Sequence, residues 1–314
     1  MARLGKWVES QADEPVGRVA ARALAARFDR VWHFMPLAAE KPADVENVHQ
    51  LRVSTRRAAA AMDIFNDWLP KRRAAQMRKR LKQIRNAAGQ ARDLDVLDER
   101  IGKLAGELPA TCAEIIRGFL RERREEAQLP IRRAYEKLVR KRFVHKSMRL
   151  TQRVHGVSHG EQFGSMAETQ MAELAAAFLH AGNQELADAH ALHAFRIEGK
   201  RIRYAMEIFV GAFPEEFRQE LYPLVASLQE KLGDINDHVT AEAYLAEWRQ
   251  VYAGQTVVEA LEALGRFESG RLEVDRREFL AWWTPERRAH LRRAFSRFVE
   301  IDEHAADLHR DRAG

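Results

Sequence analysis

The feature that most restricts this chain is that it carries its own pattern twice. Residues 48–65 read VHQLRVSTRRAAAAMDIF, and residues 192–209 read LHAFRIEGKRIRYAMEIF. His49 falls on His193, Arg52 on Arg196, Arg56 on Lys200, Arg57 on Arg201 and Phe65 on Phe209, each pair 144 positions apart. A second pair of segments keeps that separation. In LKQIRNAAGQARDLDVL (81–97) and VASLQEKLGDINDHVTA (225–241), Gly89 falls on Gly233 and Asp93 on Asp237. One such match arises easily by chance; two in one register point to a duplicated unit. The expected organisation is a single domain over 14–308, made of repeats at about 15–155 and 161–308, after a loose lead at 1–13.

The repeating unit reads as helical. Apolar residues recur at three- and four-residue steps, and period-two alternation is absent. Only 17 Gly and 9 Pro interrupt the 314 residues. The expected fold class is all-α: ten or more helices arranged as two similar bundles of about four main helices each. Breaks are expected near Pro36, Pro42, Pro70, Gly89, Pro109, Gly182, Pro214, Gly233, Gly254 and Pro285. The stretch VHGVSHGEQFG (154–164) marks the boundary between halves, with HGVSH as an exposed loop. Gly89 and Gly233 suit left-handed helix caps. Asp93 and Asp237 then fall in the first turn of the following helix, or brace a basic side chain.

Wound at about 100° per residue, each motif has two faces. His49, Arg52, Arg56 and Arg57 lie away from Leu51, Ala58, Met62 and Phe65. His193, Arg196, Lys200 and Arg203, with Tyr204 among them, lie away from Phe195, Ile202, Met206 and Phe209; Arg201 completes the basic set. A solvated helix face usually mixes signs, because Glu–Lys pairs four apart help it. No acidic residue stands between His49 and Ala61, and only Glu198 stands between His193 and Tyr204. Like charges at these steps cost a few tenths of a kcal/mol each. An anionic ligand would relieve that cost in both copies. Arg78, Lys82 and Arg85 share a face of the next helix and extend the patch, or form a lysine-rich solvent face. Their counterparts are Tyr222, Ala226 and Gln229, so the first half is the more basic here. Arg92 reaches towards the same patch; its counterpart is Asn236.

Charge and composition narrow the function classes. Lys and Arg number 52 against 46 Asp and Glu, giving +6 and a pI near 9.5. That balance favours nucleic acid, an acidic membrane surface or a polyphosphate as partner. Cys112 is the one cysteine, so neither an intrachain disulfide nor a cysteine-based zinc cluster is available. In its helical surroundings it reads as a packing residue. The start has no apolar core of signal-peptide length, and no run reaches the roughly 18 apolar residues of a membrane span. A soluble, cytoplasmic protein without membrane insertion is expected. RDLDVLDER (92–100) is the one dense acidic cluster, and its spacing suits a capped amphipathic helix as well as a metal site. Arginines beside His49 and His193 disfavour a bound cation. No catalytic residue, metal or cofactor is therefore expected. Nucleic-acid binding stays open as the alternative, although no helix-turn-helix, zinc-finger or RNA-recognition signature is present.

The paired VHQLRVSTRR and LHAFRIEGKRIRY, with GQARDLDVL and LGDINDHV, resemble the CHAD family, the conserved-histidine α-helical domain, over about residues 14–308. The resemblance implies two similar four-helix bundles with a basic central surface. It also implies binding of long-chain inorganic polyphosphate at polyphosphate granules, where granule proteins would be possible partners. The family's histidines match His49 and His193, and its basic positions match Arg52, Arg56, Arg57, Arg196, Lys200, Arg201 and Arg203. Ala59 and Ala60 stand where the second copy has Arg203 and Tyr204, so the first motif carries charge over a shorter length. Many members of the family are fused to a CYTH-type triphosphatase. Its alternating glutamates followed by a lysine are absent, and a stand-alone member is expected. The histidines have two possible roles: hydrogen-bonding a neighbouring helix to hold the basic face, or contacting phosphate.

Overall fold

Helix starts are written into the chain by side chains that accept from orphan backbone N–H groups. Asp44 caps a helix over Val45–Ile64, Asp188 one over Ala189–Phe209, and Thr284 one over Pro285–Ser296. The computed structural model describes residues 5–103, 109–154, 161–254 and 256–301. In chain order its helices are α1 (Val16–Glu40), α2 (Val45–Ile64), α3 (Lys71–Ala87), α4 (Gly89–Lys103), α5 (Ala110–Arg140) and α6 (Phe143–Val154). The second half holds α7 (Phe163–Gly182), α8 (Ala189–Phe209), α9 (Tyr222–Val251), α10 (Val257–Trp282) and α11 (Pro285–Ser296). No strand occurs among the described residues, so the all-α class holds. None of the described helices is long and apolar enough to cross a membrane. The HGVSH stretch lies outside the described residues.

The motif helices α2 and α8 begin 144 positions apart, at Val45 and Ala189. In each the apolar stripe goes inward: Leu51, Ala58 and Met62 of α2 with Phe65 just past its end, and Phe195, Ile202, Met206 and Phe209 in α8, are all fully buried. α2 packs on α1 and α3; α8 packs on α7 and α9; and α2 and α8 touch each other across the halves, as do α4 and α9. Cys112 is half-buried and packs against the common core.

Several expected breaks are displaced. α1 runs through Pro36 to Glu40, because Met35, Ala38 and Ala39 stay in the core beyond the proline. Neither Gly89 nor Gly233 is a left-handed cap; among the described glycines only Gly254 has a positive φ. Gly89 opens α4, and a Cβ there would come within 3.2 Å of the Arg52 guanidinium, so it leaves room for that side chain. Gly233 lies inside the unbroken α9, and nothing in the structure explains it. Asp237 therefore sits in mid-helix instead of in a first turn.

Residues 5–13 are also more firmly held than a loose lead. The Val8 N–H donates to the Glu207 carbonyl (3.0 Å), Arg27 donates to the Lys6 carbonyl (2.6 Å), and Gly164 N–H donates to the Ala12 carbonyl (2.8 Å). The Trp7 ring meets Tyr222 edge-on at 4.6 Å. This strap crosses both halves and covers an ion cluster centred on Glu207. That carboxylate is fully buried and takes a two-pronged contact from Arg57 of α2 (2.6 and 2.9 Å) and the Tyr222 hydroxyl (3.0 Å). Arg27 of α1 and Arg203 of α8 stand 3.8 Å away. A second buried cluster ties α4 to the other half. His238 of α9 contacts Glu268 (2.6 Å) and Asp275 (3.0 Å) of α10, and Arg100 of α4 reaches Glu268 (2.5 Å).

Breaking a buried pair strands its remaining charges, at about 3–5 kcal/mol. Glu207→Gln should lower the unfolding free energy by roughly that amount in denaturant titrations. Arg201→Ala, which loses a surface pair with Glu198, should change it by less than about 1 kcal/mol. Equal effects would contradict the role given to Glu207.

Candidate functional site

Where α2 meets α8 the basic faces of the two motifs converge. Arg52 and Arg56 come from α2, Arg92 from the adjoining α4, and Arg196 and Lys200 from α8. Their closeness shows in how they disturb one another. Burial first, then Arg56 and Arg196, push the Lys200 amine down to about 7. Burial and then Arg56 lower Arg196, and burial lowers Arg52 against the opposing pull of Asp93. His49, half-buried beside them, is held below its ordinary value by burial and then by Arg92. Two carboxylates stand among these cations. Asp93 lies 3.6 Å from Arg52 and accepts from the Tyr244 hydroxyl at 3.2 Å. Asp237 pulls on Arg196 and Lys200 from α9 without an ion pair of its own among the described residues. Asp93 thus takes the bracing role.

Several cations of the groove have no partner of their own. Neither Arg56 nor Lys200 makes an ion pair or hydrogen bond among the described residues, and the Arg196 Nε is buried without a partner. The close approach of the elements depends on Gly199 of α8. A Cβ there would stand 2.0 Å from the Gln229 amide nitrogen of α9. Beside the groove a cleft of about 600 Å³ opens between α2, α3, α7 and α8; its charged lining is mixed, with Arg56, Arg85, Lys200 and Arg201 facing Asp63, Asp67, Glu161 and Glu173 over Ile64, Trp68 and Leu174.

The remaining expected site residues fall elsewhere. Arg57 is committed to Glu207. Arg78 holds the end of α2 through the Met62 carbonyl (2.6 Å), Asn66 (2.9 Å) and Asp63 (3.2 Å). Arg201 turns to Glu198 at 2.9 Å. Arg203 lies behind the groove, near Glu207 and stacked on Tyr204, which is only 6% exposed and offers little ring face to a ligand. Lys82 is exposed on α3, and His193 is exposed at the start of α8. Neither His49 nor His193 has a hydrogen-bond partner among the described residues, so the expected bond to a neighbouring helix is not made.

Sequence reasoning passed over Glu207 and His238. The signal for Glu207 was an acid within the apolar run YAMEIF; its counterpart, Asp63, is exposed. His238 lies in a quoted motif, but its partners are 30 and 37 residues away. The acidic cluster of α4 is spent on ion pairs: Asp93 with Arg52, Asp95 with Arg124 (2.6 Å), Asp98 with Arg117 (3.6 Å) and Glu99 with Lys103 (2.9 Å). Among the described residues no group of three or more His, Cys, Asp or Glu could hold a metal ion.

The family model for the CHAD domain matches residues 22–246. The uncharacterized proteins MT2285 and Rv2226 of Mycobacterium tuberculosis (strains CDC 1551 / Oshkosh and ATCC 25618 / H37Rv) are each 30% identical over 228 residues, 68% of this chain. The chain spans 42% of the length of those relatives. The crystal structure of the CHAD domain from the plant Ricinus communis has a TM-score of 0.69 at 23% identity, covering 92% of this chain and 96% of that one. PptA from Streptomyces chartreusis has a TM-score of 0.58 at 18% identity, covering 86% and 99%. Both structures are alike in fold.

Lys200 gives the groove a pH signature. Its folded pKa, about 7, lies below the 10.5 of a free lysine. Between these values the unfolded chain binds a proton that the folded protein has released, so this residue's contribution to stability rises with pH from about 7 upward. Lys200→Met cannot titrate and should show a shallower rise of unfolding free energy between about pH 7 and 10. An unchanged slope would place Lys200 in water.

Proposed function

Because this chain belongs to the CHAD family, we propose that it is a binding protein for long-chain inorganic polyphosphate, held along the α2–α8 groove without chemistry of its own. One observation carries the reading most directly. Arg56, Arg196 and Lys200 are pressed together from both halves with too little carboxylate to neutralise them. Polyphosphate offers a flexible line of charged oxygens and no bases. Arginine forks grip such oxygens in pairs, and lysine adds a mobile point charge. Binding then proceeds by charge neutralisation with release of counterions. Association with polyphosphate granules follows from that affinity. Nucleic acid would meet the same charge, but the one aromatic of the motif faces, Tyr204, is packed away from stacking.

Two measurements test this. Arg52→Ala with Arg56→Ala, and Arg196→Ala with Lys200→Ala, should each weaken long polyphosphate by roughly tenfold or more, as bonds to charged groups are lost. The salt dependence should fall by about 0.7 per cation removed, if polyphosphate behaves as a single strand does. Unchanged affinity in both variants, or equal affinity for duplex DNA at matched charge, would overturn the reading.

A bound polyanion also favours the charged form of Lys200. Binding near pH 8 to 9 should take up about one proton, and affinity should rise as the pH falls towards 7. Calorimetry in buffers of different ionisation enthalpy reads the uptake. Lys200→Arg should abolish it, while His49→Gln should leave it largely intact at that pH. The same uptake in Lys200→Arg would assign the proton to another group.

A further inference from the structure

The charge left unpaired by this fold does not end at the groove. α3 reads KRRAAQMRKRLKQIRNA, with eight Lys and Arg and no acidic residue. Among the described residues only Arg78 of those eight makes an ion pair. α3 packs against α6, whose sequence FVHKSMRLTQRV carries Lys146, Arg149 and Arg153, again with no acid. Lys141 and Arg142 precede it directly. Lys146, Arg149 and Arg153 are exposed, and none of the three side chains has an ion pair or hydrogen-bond partner among the described residues.

The two helices crowd their charges instead of relieving them. The charged form of Arg73 is disfavoured by loss of water and then by Arg153 and Arg149, and its Nη1 is shielded without a partner. That of Lys146 is disfavoured by Arg80, then by burial and Lys141. A solvated helix of this same chain looks different. α5 intersperses five glutamates among its arginines and makes the Arg123–Glu126 pair at 3.1 Å. Like charges at helical spacing carry a cost that mixed signs avoid, and α3 and α6 carry it together.

Arg85 supplies the connection. It stands on α3 and lines the same cleft as Arg56 and Lys200. From there the exposed arc of α3, through Lys82 and Lys79, leads over to Arg80 and α6. We propose that the outer face of α3 and α6 is a second polyphosphate-contact surface, onto which a chain held in the groove continues past Arg85. This rests on the polyphosphate reading of the groove. The path leaves the cleft and bends around the exposed side of α3 to the α3–α6 ridge. A flexible chain follows such a turn; a stiff duplex, with a persistence length of about 150 base pairs, does not. The ridge also has no exposed Phe, Trp or Tyr for bases to stack on. The consequence is a dependence on chain length, since only an anion long enough to leave the groove engages the ridge.

The test compares three variants with the native protein against tripolyphosphate, long polyphosphate, duplex DNA and anionic phospholipid vesicles. The ridge variant is Lys146→Gln, Arg149→Gln and Arg153→Gln. The charge-matched control is Arg121→Gln, Arg266→Gln and Arg277→Gln, exposed cations on α5 and α10. The groove variant is Arg56→Ala with Lys200→Met. The ridge variant should lose roughly tenfold or more for long polyphosphate, with a salt slope shallower by about 2, and keep native affinity for tripolyphosphate. The control should stay within about twofold for both, and the groove variant should lose both. Native long-chain affinity in the ridge variant, beside a loss in the groove variant, would overturn the second surface alone. A ridge variant that keeps long polyphosphate but loses DNA or vesicles would assign the face to that partner. Equal losses in ridge and control would reduce the effect to net charge. Absence of polyphosphate binding in the native protein would overturn both readings.

Discussion

The contact between α2 and α8 is the interaction on which the rest depends, and it joins two helices that carry the same sign of charge. Left alone they would repel. One buried carboxylate, Glu207, makes the contact possible by receiving Arg57 from across the halves and standing close to Arg27 and Arg203. The Tyr222 hydroxyl satisfies it further, and the strap through Lys6 and Val8 closes it off from water. Burial of such a cluster is costly unless its geometry is good. Here the bidentate Arg57 contact supplies that geometry.

Neighbouring residues on one helix therefore have opposite roles. Arg57 is neutralised and structural. Arg56, one position earlier, acts on Arg196 and Lys200, with Asp93 and Asp237 as opposing carboxylates that make no ion pair with it among the described residues. The fold spends its acidic residue on the inner side of the contact and leaves the outer side in deficit. That asymmetry is what the proposed anion site rests on; burial first, and then the neighbouring Arg56 and Arg196, bring the amine of Lys200 to about 7. The His238, Glu268 and Arg100 cluster holds α4 beside α9 and α10, and so keeps Arg92 and Asp93 in place.

Much of this was legible in the sequence. The apolar stripes of α2 and α8, their buried faces and their basic faces follow from a period of 3.6 residues. Helix starts at Lys71, Ala110 and Pro285 follow from the breaks expected at Pro70, Pro109 and Pro285. What was not legible depends on partners distant in sequence. Nothing local in YAMEIF says that Glu207 will meet Arg57, 150 residues earlier. Arg57 and Arg201 occupy matching positions of the two sequence motifs, yet one reaches Glu207 in the other half and the other turns to a neighbour on its own helix. Gly89 was read for its backbone freedom, when its use is to make room for Arg52. The basic character of α3 was visible in part, through Arg78, Lys82 and Arg85; that of α6 was passed over, and the adjacency of the two is a property of the fold.

The central claim is that a polyphosphate chain lies along the α2–α8 groove, in contact with Lys200 and Arg56. Residue-resolved chemical footprinting of lysine and arginine side chains, with and without saturating long polyphosphate, tests it most directly. The account predicts that Lys200, Arg56, Arg52 and Arg196 become protected, while the exposed Arg266 and Arg277 of α10 retain their reactivity. Unchanged reactivity of Lys200 and Arg56 at saturation would contradict it.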